Sequence, residues 1–256
     1  MPLVVLPPSL GGPKAAARAE QLRTVVSREL GLECEVAVAE TYGELRGSIE
    51  AGDAWLAWTP AAVCAELLRV RAVFTVVREG RRSYRSALVG RRGAHLADAR
   101  RAAWVDPLSA GGYLLVDAML RARGVEPAAV FESQVFVGSH RAVLEAILDG
   151  TADVGAVSVH GDGDAAVARS LAWYVGPLGR ELDALMVSSP CPNDAIVVTS
   201  RASDAFHDLV VERFVARRAS AIFPILEAER LEPAQLSEYA AAFKALPRKT
   251  SRPPPR

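Results

Sequence analysis

The segment 104–113, WVDPLSAGGY, has a pattern that could bind an anion. Apolar residues up to Val105 predict a buried strand, and a helix is predicted to begin near Ser109. Backbone N–H groups at a helix start lack intrahelical acceptors, and the helix dipole favours negative charge there. Ser109 could cap the helix or contact a ligand, while Gly111 and Gly112 would let a ligand approach the backbone. A plain strand–turn–helix with a serine cap explains the segment equally well.

A second predicted helix start carries Ser139 and His140, directly after a strand predicted at 135–137. Ser139 is a favourable capping residue. An N–H of His140 in the first turn could join the backbone donors on an anion. Because a lone histidine is more often a surface or capping group, this segment alone favours the simpler interpretation.

Strand and helix patterns alternate along almost the whole chain, which predicts an α/β fold. Compact apolar runs at 3–6 and 54–58 predict buried strands, and apolar residues at helical spacing predict helices at 13–30 and 139–149. The basic residues at 78–85 are interpreted as a solvated turn. No fixed-period repeat is evident. A chain of 256 residues is long enough for two lobes of ordinary size.

The order and spacing of these motifs resemble the phosphate- and phosphonate-binding proteins of ABC importers. The segments that carry the resemblance are Asp106–Tyr113, Gly138–His140, Asp153–Ala156 and Ser189–Val197. The resemblance extends over roughly residues 1–225 of this chain. It implies the two-lobed type 2 periplasmic-binding-protein fold, an α/β fold with a ligand cleft between the lobes.

The same resemblance divides the chain into segments. One lobe is expected to contain residues 1–87 together with 191–245, and the other lobe residues 88–190. The proline-rich, basic end of the chain at 246–256 is expected to be a disordered tail, because it has too few apolar residues to form a core.

The resemblance implies that a small anion binds in the cleft. Its oxygens would contact the helix start at Ser109 and the side chain of His140. Tyr42 and Tyr84 would form walls of the cleft, and Asp194 would face the far end of the ligand. The residues expected to bind ligand are Tyr42, Thr59, Tyr84, Ser109, Ala110, Gly111, Gly112, Ser139, His140, Ser158, His160 and Asp194.

Several positions depart from the pattern of the family. Its Ser-Thr-Ser is Ser109-Ala110-Gly111 here, so two hydroxyl donors are absent. His160 stands where an aminophosphonate binder has an acidic residue, and Thr59 where tyrosine is frequent. These differences predict weak phosphonate binding and a preference for a carboxylate or a monoanionic phosphoester. Ala110→Thr and Gly111→Ser are therefore expected to strengthen the binding of phosphate or phosphonate.

The composition and motifs favour a binding protein. The chain has 30 basic and 30 acidic residues, which gives no bulk electrostatic reason to bind nucleic acid or an anionic membrane. It contains no HExxH, GxSxG or Walker A motif, so no catalytic residue, metal or cofactor is predicted. Two alternatives remain open: a cytosolic enzyme of the same fold, similar to the chorismate dehydratase of menaquinone synthesis, and a cytosolic ligand sensor. The expected partner is an ABC permease for a transport protein and a cytosolic protein for a sensor.

The N-terminal residues 1–8 lack the basic and long apolar regions of a signal peptide. No apolar stretch reaches the roughly 18 residues of a membrane helix, so no membrane insertion is predicted. The sequence as it stands predicts a cytoplasmic protein, whereas removal of a native signal peptide would indicate a periplasmic one.

Overall fold

The computed structural model describes residues 1–7, 15–107, 109–217 and 219–244. The predicted tail at 246–256 and the first two residues of the helix predicted at 13–30 lie outside the described residues. The described residues form the strands β1 (Leu3–Leu6), β2 (Glu35–Val38), β3 (Leu56–Thr59), β4 (Ala72–Val77), β5 (Ser83–Arg91), β6 (Arg101–Trp104), β7 (Ser133–Phe136), β8 (Val154–Val159), β9 (Leu182–Val187), β10 (Cys191–Pro192), β11 (Ala195–Val198) and β12 (Arg230–Ala234).

The α-helices begin and end close to the capping residues and glycines in the sequence. They are α1 (Ala15–Leu30), α2 (Tyr42–Glu50), α3 (Ala61–Cys64), α4 (Leu115–Ala122), α5 (Pro127–Val130), α6 (His140–Leu148), α7 (Asp164–Val175), α8 (Asp204–Val210), α9 (Phe223–Leu226) and α10 (Leu236–Phe243). Within the described ranges, none of these helices combines the length and apolar character needed to cross a membrane.

Up to residue 242, the chain forms two compact units. The first comprises Met1–Ser83 and Cys191–Ala242, and the second comprises Tyr84–Pro190. The interpretation of such units as two lobes that close on a ligand remains a prediction.

The first unit is built on a sheet with the strand order β12-β4-β11-β3-β1-β2. β1 runs parallel to β2 and β3, while β11 runs antiparallel to β3 and β4. Alternate residues of these strands, such as Leu56, Phe74 and Ile196, enter one apolar core. Val26 of α1 and Phe206 of α8 pack into the same core, so that face of the sheet is covered by helices.

The second unit contains a sheet with the order β5-β8-β6-β7, and β9 pairs with β5 on the side away from β8. β6 is parallel to β7 and β8, while β5 is antiparallel to β8 and β9. Both faces of this sheet are buried. Val157 packs in a core with Leu144 of α6, and Ala156 packs in another with Val116 and Leu120 of α4.

The two units repeat one topology although the sequence has no evident repeat. The parallel strands have the order β2-β1-β3 in one unit and β7-β6-β8 in the other. In each unit the third of these strands lies beside an antiparallel strand, β11 or β5. The loops after parallel strands meet at one edge of a sheet. In the second unit, the segment after β6 and the starts of α6 and α7 therefore lie at a common edge.

Gly155 allows α6 to pack closely on β8. A Cβ atom at this position would lie 2.4 Å from Val143 Cγ1 and 2.7 Å from the Ala103 carbonyl oxygen. Gly155→Ala is therefore expected to lower the free energy of unfolding by about 1–3 kcal/mol, as overpacked cores do. Denaturant unfolding followed by circular dichroism measures this change.

Gly47→Ala is the matched control, because Gly47 is exposed in α2 and has no atom within 4 Å of the added Cβ. This control is expected to be neutral or to stabilise by up to about 1 kcal/mol. Equal effects of the two substitutions would contradict the close packing at Gly155.

Candidate functional site

The segment after β6 forms a capped helix start. Ala110–Leu114 form a wide π-helical turn that continues into α4. The Ser109 hydroxyl accepts a hydrogen bond from the Gly112 N–H at 3.0 Å, as predicted for a serine cap. The N–H groups of Ala110 and Gly111 belong to the first turn, where no intrahelical acceptor exists. They are the donors that this helix start can offer to an anion.

Side chains from the antiparallel pair β5–β8 lie beside this helix start. Ser86 and Ser158 are opposite each other in the ladder, and the Ser86 hydroxyl donates to the Gly111 carbonyl oxygen at 2.6 Å. Tyr84 lies two residues before Ser86 in β5, and His160 lies two residues after Ser158, just beyond the end of β8. Their ring centroids are 6.3 Å apart. The strand pair therefore presents two hydroxyls and two rings on the face that contacts Gly111.

Gly111 and Gly112 are required by close packing, in addition to any role in ligand approach. A Cβ at Gly111 would lie 2.1 Å from Ser158 Oγ and 3.0 Å from Tyr84 Cε2. A Cβ at Gly112 would lie 2.3 Å from Val105 Cγ2. Gly111→Ser alone is therefore no longer expected to strengthen anion binding, because the added side chain would displace Ser158 or the helix start.

His140 is the first residue of α6 and contacts Ser158. The Ser139 hydroxyl caps this helix by accepting from the Ala142 N–H at 3.2 Å. His140 Nε2 lies 3.3 Å from Ser158 Oγ, and Nδ1 accepts from the Ser158 N–H at 3.4 Å. The Tyr174 ring packs against the imidazole with centroids 5.3 Å apart.

Burial, reinforced by repulsion from nearby His160, lowers the pKa of His140 from 6.5 to about 4. The imidazole is therefore neutral at pH 7. It acts as a hydrogen-bonding group in this site and contributes no formal positive charge.

Nine of the twelve predicted site residues belong to the second unit, and the structure brings most of them together. Tyr84, Gly111, His140, Ser158 and His160 are linked by the contacts described above. Ser139 is exposed and engaged as a helix cap. Ala110 is buried in the first turn, between Ser109 and Gly111.

Two residues of this cluster were not predicted from the sequence. Ser86 holds the Gly111 carbonyl, and the Tyr174 hydroxyl donates to the Ser158 carbonyl at 3.4 Å. The same-face alternation of Tyr84 and Ser86 in a strand could have indicated Ser86. Tyr174 lies in a helix whose packing only the tertiary structure shows.

The other three predicted site residues lie in the first unit. Tyr42 begins α2, where the Thr41 hydroxyl accepts from the Glu44 N–H at 3.0 Å and Glu44 accepts from the Glu40 N–H at 2.7 Å. The arrangement is similar to a capping box, except that Glu44 accepts from the N–H of the residue before the cap, and it fixes the start of the helix at Tyr42. Thr59 ends β3 and is fully buried.

Asp194 is engaged on both carboxylate oxygens. Arg78 donates to Oδ1 at 2.5 Å and to Oδ2 at 3.1 Å, and Trp58 Nε1 also donates to Oδ2. Arg78 in turn donates to the Leu226 carbonyl oxygen at 2.8 Å. These contacts make Asp194 a structural residue that connects several segments of the first unit.

An α/β chain with capped helix starts and polar side chains at the carboxyl edge of a parallel sheet has the features of a ligand-binding protein. A family model described as the phosphonate, periplasmic substrate-binding protein of ABC transporters matches residues 4–239. The chain belongs to this family. No curated protein sequence matches it.

Solved structures with the same fold come from several bacteria. The binding component of an ABC phosphonate transporter from Pseudomonas aeruginosa has a TM-score of 0.72 at 16% identity, covering 95% of this chain and 85% of that one. A Xanthomonas citri protein solved with ATP gives 0.74 at 16% identity, with 95% and 96% covered. A Prochlorococcus marinus protein in complex with methylphosphonate gives 0.69 at 16% identity, with 95% and 96% covered.

These findings confirm the predicted family, the α/β fold class and the general role of a substrate-binding protein. The family is one of periplasmic proteins that work with ABC transporters. It gives no support to the predicted cytoplasmic location or to a cytosolic partner. The assignment of individual ligand-binding residues remains a prediction.

The neutral, partly buried state of His140 predicts a pH-dependent stability. Since the folded-state pKa of about 4 lies below the unfolded value of 6.5, the unfolded chain binds the proton first as the pH falls. This contribution is fully present above pH 6.5 and is lost between about pH 6.5 and 4, by up to about 3 kcal/mol. The free energy of unfolding of wild type minus that of His140→Gln, measured from pH 7 to 4, should decrease accordingly.

His95→Gln is the control for this experiment, because His95 is exposed in the same unit. Its difference curve is expected to stay nearly flat. Parallel curves for wild type and His140→Gln over the whole pH range would contradict the buried neutral imidazole.

The contacts of Asp194 predict that its loss affects stability more than ligand binding. Asp194→Ala leaves Arg78 without its carboxylate partner, so the free energy of unfolding is expected to fall by about 1–3 kcal/mol. Glu50→Ala, which breaks the Arg46–Glu50 surface pair, is the control and is expected to cost at most about 0.5 kcal/mol. Unchanged stability with weakened ligand binding would instead indicate that Asp194 contacts the ligand.

Proposed function

We propose that this protein is the substrate-binding component of an ABC importer and that it binds a small oxyanion of the phosphonate or phosphate-ester class. The anion oxygens bind at the helix start Ser109–Gly112, together with Ser158 and His140. The observation that carries this proposal is that Ser158 contacts both His140 and the helix start. Its Oγ lies 3.3 Å from His140 Nε2 and fills the space beside Gly111. Backbone N–H, hydroxyl and imidazole donors thus lie side by side.

Neutral donors dominate this site. Arg85 is the cation on β5 next to the cluster, and it already donates to Asp162 at 2.9 Å and to the Ser188 carbonyl oxygen at 2.7 Å. The imidazole of His140 is neutral at pH 7, because burial lowers its pKa to about 4. A ligand with several acceptor oxygens suits such a site, since each oxygen can accept from a separate donor.

In this proposal, the parts of the chain at 1–87 with 191–245 and at 88–190 act as two lobes. Thr59 and Asp194 are left out of the ligand contacts, because Thr59 is fully buried and Asp194 is paired with Arg78. The partner is an ABC permease, and the location is the periplasm.

Calorimetry with inorganic phosphate and methylphosphonate tests the proposal. Wild type is expected to bind at least one of these ligands, and His140→Ala should weaken the binding about tenfold or more, because the Ser158 hydroxyl loses the imidazole that contacts it, an effect of roughly 1.5 kcal/mol. His95→Ala, an exposed histidine of the same unit, is the control and should bind as wild type does. Failure of wild type to bind any small oxyanion would contradict the proposed function.

The fate of the ligand separates a binding protein from an enzyme of the same fold. After long incubation with wild type, phosphorus NMR is expected to show the ligand unchanged. Conversion that disappears in His140→Ala would show that the protein is an enzyme.

A further inference from the structure

Ser158 and Gly111 share one space, and Ser158 fills it. A Cβ on Gly111 would lie 2.1 Å from Ser158 Oγ and 3.2 Å from Ser158 Cβ. These distances are too short for two side chains to coexist in ordinary van der Waals contact. The Ser158 hydroxyl, which comes from β8, thus occupies the position that the hydroxyl of a serine at position 111 would take.

His140 determines how the Ser158 hydroxyl is used. In the tautomer in which His140 Nδ1 accepts from the Ser158 N–H at 3.4 Å, the proton of the neutral imidazole is on Nε2. Nε2 then donates to Ser158 Oγ, 3.3 Å away. An oxygen that accepts from His140 keeps its own proton for another acceptor. The neutral state that this arrangement requires agrees with the lowered pKa of His140, about 4.

The Ser158 hydroxyl lies next to the helix start, where other groups are already hydrogen-bonded to each other. The Gly111 carbonyl is already bonded to the Ser86 hydroxyl at 2.6 Å, and the Ser158 carbonyl accepts from Tyr174 at 3.4 Å. Ser158 is only partly buried. Its hydroxyl can therefore contact a bound molecule while it also contacts His140.

We propose that Ser158 is a specificity-determining residue whose hydroxyl donates to the bound oxyanion in place of a side chain at position 111. This inference rests on the proposed function, because it requires an oxyanion at the helix start. It predicts a reciprocal relation: a serine at 111 is compatible with binding only when residue 158 is small. A hydroxyl introduced at position 111 should then compensate for loss of the hydroxyl at position 158.

The test measures dissociation constants for inorganic phosphate and methylphosphonate by calorimetry. Ser158→Ala is expected to weaken the tighter ligand about 10- to 100-fold, the effect of one hydrogen bond to a charged group. Gly111→Ser should weaken it as well and should lower the melting temperature, because the new side chain meets Ser158. The double variant Gly111→Ser/Ser158→Gly should bind at least about tenfold more tightly than Ser158→Gly alone.

Ser133→Ala is the matched control, since Ser133 is an exposed serine at the start of β7, at the opposite end of the strand from α6. It should bind as wild type does. Wild-type affinity in a folded Ser158→Ala variant would overturn the inference while leaving the proposed function intact. Equal affinities of Ser158→Gly and the double variant would also overturn it.

Failure of wild type to bind either ligand would overturn the proposed function and this inference together. If the double variant does not fold, the comparison of wild type with Ser158→Ala decides alone. Thermal unfolding of each variant shows which of these cases applies.

Discussion

The contact between Gly111 and the strand pair β5–β8 is the constraint on which the candidate site depends. The helix start lies so close to Ser158 that no side chain fits at position 111, and the Ser86 hydroxyl holds the Gly111 carbonyl. This contact places backbone N–H groups, a hydroxyl and an imidazole next to each other. A site of preoriented neutral donors can bind an oxyanion without a buried cation, which would carry a desolvation cost of its own.

The first unit uses its charged groups differently. Arg78 and Asp194 form an ion pair of which each side chain is 20% exposed, and Trp58 donates to the same carboxylate. Asn193, next to Asp194, donates to the carbonyl oxygens of Val76 and Arg81 at 2.9 and 3.0 Å. This network ties the end of β4 to the start of β11, so the polar residues near Asp194 serve the fold of the unit.

The predicted solvated turn at 78–85 is found, with residues 79–82 exposed between β4 and β5. Several of its basic residues also have acidic partners far away in the sequence: Arg78 pairs with Asp194, Arg82 with Glu232 and Arg85 with Asp162. Sequence patterns do not contain these pairings, because each one joins residues 77 or more positions apart. The charges are therefore neutralised locally, which agrees with the absence of net charge in the whole chain.

The sequence by itself determined two helix starts and the fold class. The predicted helix starts at Ser109 and Ser139 are found, each with the serine hydroxyl accepting from an N–H three residues later, because capping depends on neighbouring residues only. Alternating strands and helices similarly fixed the α/β class.

Only the tertiary structure decided which of those elements meet. In that structure Ser158 contacts both Gly111 and His140, Asp194 forms an ion pair with Arg78, and Thr59 is buried. It also turned two unrelated stretches of sequence into units with one strand order. The physical reason is that such contacts arise from sheet register and helix packing between distant segments, whereas composition and spacing report only local preferences.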